Sequence, residues 1–186
     1  MLLTPDAALI PIDVQRAFDD PSWGRRNNPG MEAQGLRLLA AWRQAGRPVI
    51  NVKHDSTEPA STLRPGQPGN DFKPGFAPQP GEALIAKTVN AAFIGTSLES
   101  DLRARGIGQI VLFGLTTDMC VSTTARVGAN LGFSVVVVAD ACAAFDQRAP
   151  DGETVAAELL HRVHLTTLHS EFARVMNTDE TIGTLG

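Results

Sequence analysis

This sequence has few of the features that usually announce a chemistry. Among its 186 residues there are only two cysteines, Cys120 and Cys142, in separate segments and without CxxC spacing. That spacing argues against a cysteine-based metal site, and a structural disulfide is not expected. No cluster of basic residues occurs and the formal net charge is -4, so nucleic acid is not an expected partner. The longest apolar run, around Val135–Ala139, is far too short to cross a bilayer. The first residues, MLLTPDAALIPID, lack the basic region of a signal peptide. The chain is therefore read as cytoplasmic. There is no GxGxxG after a strand, no GxxxxGK[ST], no GxSxG and no HExxH. Nucleotide cofactors, a serine elbow and a zincin-type site are accordingly not expected.

What is present is an alternation. Apolar segments at Ala7–Ile12, Pro48–Val52, Gln109–Phe113 and Phe133–Ala139 read as buried parallel strands, with Ala83–Ala86 as a short one. Between and after them, Met31–Ala45, Ser97–Arg105, Cys120–Leu131 and Gly152–Leu168 carry helical spacing, and Glu171–Val175 reads as an edge strand. Strands alternating with helices predict an open parallel sheet covered on both faces. The length suits one domain over residues 1–186. Residues 56–82 are rich in Pro and Gly; a long irregular stretch of this kind often carries function.

In such sheets ligands bind beyond the carboxyl ends of the strands. Asp13, His54 and the Gly114–Met119 turn all fall at such ends. Cys120 stands where that turn meets a helix, a place expected to favour a thiolate nucleophile. The competing reading is a buried structural cysteine. Cys142, set among alanines, reads as core. Asp13 is a candidate general base or a turn residue, and Lys87 a candidate counter-charge or a snorkelling surface lysine. His54 has no sequence neighbours suited to complete a metal site, and His161 and His164 belong to a later helix; no metal is expected.

Four segments then carry a resemblance: LIPIDVQRAF at 9–18, IAKTVNAAFIGTSLESDLRARG at 85–106, IVLFGLTTDMCVSTTARVGANLGFSVVVVADACAAFD at 110–146 and LHSEFARVMNTDE at 168–180. In this order they resemble the isochorismatase-like cysteine hydrolases. The resemblance implies a three-layer α/β/α fold with a six-stranded, mainly parallel sheet. It implies Cys120 as nucleophile, Asp13 as base and Lys87 as stabilising cation. It also implies a cis peptide at Leu115–Thr116 and an oxyanion hole from the N–H groups of Thr116 and Cys120. It further implies a small-molecule substrate and a homo-oligomer, while the short apolar runs leave no membrane partner expected.

One departure stands out. Relatives acting on nicotinamide typically carry metal-binding aspartate and histidines after the second strand, where this chain has NVKHDST. C–N hydrolysis through a thioester is the expected reaction. Vinyl-ether hydrolysis with Asp13 as acid, and a non-catalytic binding protein, are the alternatives. Phe18, Trp23, His54, Phe72 and Phe93 are the expected substrate-binding residues.

Overall fold

The computed structural model describes residues 3–185; Met1, Leu2 and Gly186, the ends of the expected domain, lie outside the described residues. Six strands form one sheet in the order β3-β2-β1-β4-β5-β8: β1 Ala8–Ile12, β2 Ile50–His54, β3 Ala83–Lys87, β4 Gln109–Leu115, β5 Ser134–Ala143 and β8 Arg174–Met176. Every pairing in it is parallel. Two-residue strands β6 (Gln147–Arg148) and β7 (Thr154–Val155) make a separate antiparallel pair. The helices are α1 Met31–Gln44, α2 Leu98–Ala104, α3 Ser122–Asn130, α4 Ala157–Thr167 and α5 Thr178–Gly183.

Parallel strands covered on both faces need apolar side chains on both sides, and β1 and β4 are buried along their whole length. The two covering layers can be read from two helical glycines. A Cβ on Gly35 of α1 would meet Phe113 at 2.7 Å, and one on Gly128 of α3 would meet Ile110 at 3.1 Å. Ile110 and Phe113 are three apart on β4 and so point to opposite faces. Helices α1 and α3 therefore sandwich the sheet, each held close by a missing side chain. Helix α1 buries Met31, Leu38, Leu39 and Trp42 on one stripe, and the Trp42 indole donates to the Ala7 carbonyl at 3.0 Å.

The architecture is the expected three-layer one, with several shifted boundaries. Strand β2 runs on to His54 and β3 to Lys87, two and one residues past the apolar runs, because ladder pairing continues under polar side chains. Strand β5 continues through a register shift to Ala143, which puts Cys142 inside it and opposite Gly114. Helix α4 starts at Ala157 and not at Gly152, since Thr154–Val155 pairs with Gln147–Arg148 instead. The last strand begins at Arg174, three residues later than Glu171, after a π-helical turn over Leu168–Phe172.

Candidate active site

Because the strands are parallel, their carboxyl ends share one edge, and the register decides what meets there. Ile12 lies beside Val52 on one side and Gly114 on the other, and His54 lies beside Lys87. Asp13, His54, Lys87 and the turn after β4 thus converge although they are scattered over the sequence.

Local backbone features fix the centre. Asp13 has φ 52, a left-handed conformation that non-glycine residues rarely adopt, and its N–H donates to the Val52 carbonyl at 2.9 Å. Gly114 has φ 129, and a Cβ there would lie 2.0 Å from the Ile12 carbonyl oxygen. Only glycine permits β4 to pass so close to β1 at the point where the turn begins. The Leu115–Thr116 peptide is cis. Thr117–Val121 then forms a π-helical turn that leads directly into α3 and carries Cys120 on its inner side. His161 of α4 braces this turn, its Nδ1 2.8 Å from the Thr117 hydroxyl.

At the centre is the Lys87 ammonium, whose side chain is fully buried. It donates to Asp13 Oδ2 at 2.6 Å, to His54 Nδ1 at 3.0 Å and to Cys120 Sγ at 3.4 Å. Three donors meet three acceptors, so the buried charge is fully partnered. An ammonium can only donate, so His54 Nδ1 accepts and its proton sits on Nε2. Asp13 Oδ1 is buried without a partner at ordinary hydrogen-bond distance, as is the Thr116 hydroxyl.

The electrostatics oppose the expected pull of the helix start on Cys120. Burial is the largest influence on the Cys120 thiol and drives its pKa far up; the Asp13 charge adds to this and Lys87 opposes it. Burial therefore favours the neutral thiol, against the pull of the Lys87 charge and of a nearby helix start. Burial also raises Asp13, with Lys87 as the main opposing influence. His54 is held down at about 4 by burial and by the Lys87 charge, so it is neutral near pH 7. Cys142 is fully buried, its thiol pushed up to about 12 by burial.

A cavity of about 200 Å³ opens on this centre and is lined by Asp13, His54 and Cys120. Phe18, Trp23, Leu63 and Met119 supply its apolar wall, and Ser56, Ser61, Asn90 and Thr116 its other polar groups. Of the residues expected to bind substrate, Phe18, Trp23 and His54 line it. Phe72 and Phe93 do not. Phe93 stacks on Phe133 and packs against α3, so it is core. Phe72 is bridged to Gln15 by backbone pairing and packs against the core.

Sequence reasoning passed over several lining residues. Asn90 brings its Oδ1 within 3.9 Å of Cys120 Sγ; its place three residues after Lys87 was the available signal. Ser56, Ser61 and Leu63 come from the 56–82 segment of the same chain, which is pinned by a buried amide pair. Gln15 Nε2 donates to the carbonyls of His54 (3.1 Å) and Asn70 (2.9 Å), and its Oε1 accepts from His54 N–H (2.8 Å). Asn70 Nδ2 reaches the Leu63 carbonyl at 2.7 Å. Nothing in the amino-acid pattern marked Gln15 or Asn70 for this task.

Asp13, His54 and Cys120 each present a ligand-type atom within 4.8 Å of the others, a spacing that suits a metal ion. The Lys87 ammonium already bonds to all three, so the donor set is committed to an internal cation. After the second strand, Asp55 accepts from Lys53 (3.0 Å) and Asn70 (2.9 Å) and is likewise committed. The residues present do not fit the metal site typical of the nicotinamide-acting relatives.

Fold and site define the class: a three-layer α/β protein with a cysteine–aspartate–lysine centre at the carboxyl edge of its sheet. The isochorismatase domain model matches residues 7–180. An uncharacterized isochorismatase family protein of Bacillus subtilis, YrdC, is 44% identical over 175 residues, covering 94% of each chain. An isochorismatase-family crystal structure from Chromobacterium violaceum superposes with a TM-score of 0.96 at 44% identity, covering 100% of this chain and 98% of that one. Streptothricin hydrolase of Streptomyces noursei is 33% identical over 157 residues, 83% of this chain and 56% of its own. This chain belongs to the isochorismatase family of hydrolases.

Proposed function

We propose that this protein hydrolyses a C–N bond of a small molecule through a thioester on Cys120. The observation that carries the reading is the meeting of Cys120 Sγ, Asp13 and Lys87 in one buried cluster open to a cavity. A neutral buried thiol needs a base within reach, and Asp13 is that base. As Sγ attacks the amide carbonyl, Asp13 takes the thiol proton. Negative charge develops on the carbonyl oxygen, and the N–H groups of Thr116 and Cys120 receive it. The C–N bond then breaks, and Asp13 returns the proton to the leaving nitrogen. In the second half, Asp13 removes a proton from water as it attacks the thioester. The acid leaves, and the sulfur regains its proton from Asp13. Lys87 keeps Asp13 ionised between steps and holds the sulfur in place. Streptothricin hydrolase, by its name a hydrolase, supports the hydrolytic class.

The test is ammonia release from a panel of small amides by wild type, Cys120→Ala and Cys142→Ala. The proposal expects loss with the first variant and near-wild-type turnover with the second. Full turnover by Cys120→Ala would overturn it and favour a reaction, such as vinyl-ether hydrolysis, that uses Asp13 as acid without a covalent step.

A further inference from the structure

The wall of the cavity says which substrates the centre can accept. Among the described residues no arginine or lysine lines it, and Lys87 lies beneath the floor, bonded to Asp13, His54 and Cys120. The Asp13–Lys87 pair leaves no uncompensated positive charge to receive an anion. His54 is uncharged near neutral pH and, with Nδ1 engaged by Lys87, offers a single Nε2–H donor. The rest of the surface is Phe18, Trp23, Leu63 and Met119, with the hydroxyls of Ser56, Ser61 and Thr116 and the Asn90 amide, all of them uncharged. The space, about 200 Å³, falls below the roughly 300–1,000 Å³ of pockets that take drug-sized ligands. That is room for one ring or a short branched chain beside the reacting group.

We infer that this site selects small uncharged amides with an apolar acyl group, and excludes substrates that carry a carboxylate. The inference rests on the Cys120 reading and adds to it the charge and size of the substrate. A carboxylate entering this cavity would shed water, meet no cation free to pair with it, and face the Asp13 charge. An apolar group would instead bury against Phe18 and Trp23, whose rings lie 4.8 Å apart, centroid to centroid. One acceptor atom on the substrate suffices for His54 Nε2–H.

The experiment compares two alkylating probes of nearly equal shape, iodoacetamide and iodoacetate. Both displace iodide with the Cys120 sulfur; one is neutral and the other anionic. Rates are read by peptide mass spectrometry on Cys120 and normalised to a free small-molecule thiol. The expected result is a preference for iodoacetamide of about tenfold or more, since an unpaired buried carboxylate is costly. A cation placed on the wall by Ser61→Arg, in protein shown to be folded by circular dichroism, should reduce that preference. In parallel, neutral amides should release ammonia, and their carboxylate-bearing analogues of equal size should not. If Cys120 is alkylated equally by the two probes, the charge selection is wrong while the nucleophile assignment stands. If neither probe labels Cys120, both fail. If the carboxylate-bearing amides are the better substrates, the inference is overturned whatever the alkylation shows.

Discussion

Lys87→Met leaves a stem of similar length and removes the charge on which the centre converges. The ion pair it breaks is 2.6 Å long with both side chains fully buried. Removing one member of such a pair ordinarily costs about 3–5 kcal/mol, because the other charge is left unpaired. Here Asp13 can escape part of that cost by taking up a proton. Burial already raises its pKa, and Lys87 is the main influence holding it down. A carboxyl raised above its unfolded value of about 3.9 contributes stability that is full below that pH and lost as pH rises through the folded value. The raised value climbs further without Lys87. The variant's stability deficit is therefore small at pH 5 and grows toward pH 8. A protonated Asp13 is also no base, so turnover should fall by about 10²–10⁴-fold near neutrality. Urea unfolding of variant and wild type across pH 5–8 measures the first effect and ammonia release the second. Alkylation of Cys120 gives the third reading. It should be slower in Lys87→Met, which loses the influence that lowers the thiol, and faster in Asp13→Asn, which loses one that raises it. Two folded variants with the wild-type alkylation profile and a pH-independent stability difference would refute the reasoning.

Gly114→Ala should cost about 3 kcal/mol or more in urea unfolding, because the new Cβ meets a carbonyl oxygen at 2.0 Å and the residue sits at φ 129. Near-native stability would show that β1 and β4 can move apart. Gln15→Leu leaves the His54 N–H and the Asn70 carbonyl without their side-chain partner. It should lose about 1–3 kcal/mol, raise KM and open the 56–82 segment to limited proteolysis. His54, at about 4 in the folded chain against an ordinary 6.5, contributes stability that is present above 6.5 and lost as pH falls toward 4. His54→Gln should therefore flatten the urea-midpoint profile between pH 7 and 4, and wild-type turnover should show no His54 inflection near 6.5.

The parts of the fold legible in the sequence were those written in periodicity. Continuous apolar runs marked β1, β2, β4 and β5, and the stripe of Leu38, Leu39 and Trp42 marked α1. Boundaries that depend on ladder pairing were not visible, since Lys53 and His54 look like loop residues until β3 pairs beside them. Of the site, Asp13, Lys87 and Cys120 were candidates by position, each following an apolar strand or an unusual turn, and the family resemblance is what joined them into a trio. Phe72 and Phe93 were misplaced because an aromatic ring has the same composition signal in a cavity wall as in the core. Gln15 and Asn70 act through hydrogen bonds to backbone that is distant in sequence, and no local pattern records those. The upward pull of burial on the thiol was not visible for a related reason. A helix start can be read along the chain, whereas the burial that outweighs it is a property of the assembled sheet.

The central claim is that Cys120 carries the acyl group between two half-reactions. Rapid acid quench of wild-type protein turning over a hydrolysed amide, followed by peptide mass spectrometry, tests it most directly. The account predicts an adduct of the acyl mass on Cys120, removed by hydroxylamine, absent from Cys142 and absent in Cys120→Ala. Steady turnover with no adduct on Cys120 at any quench time, and undiminished in Cys120→Ala, would contradict it.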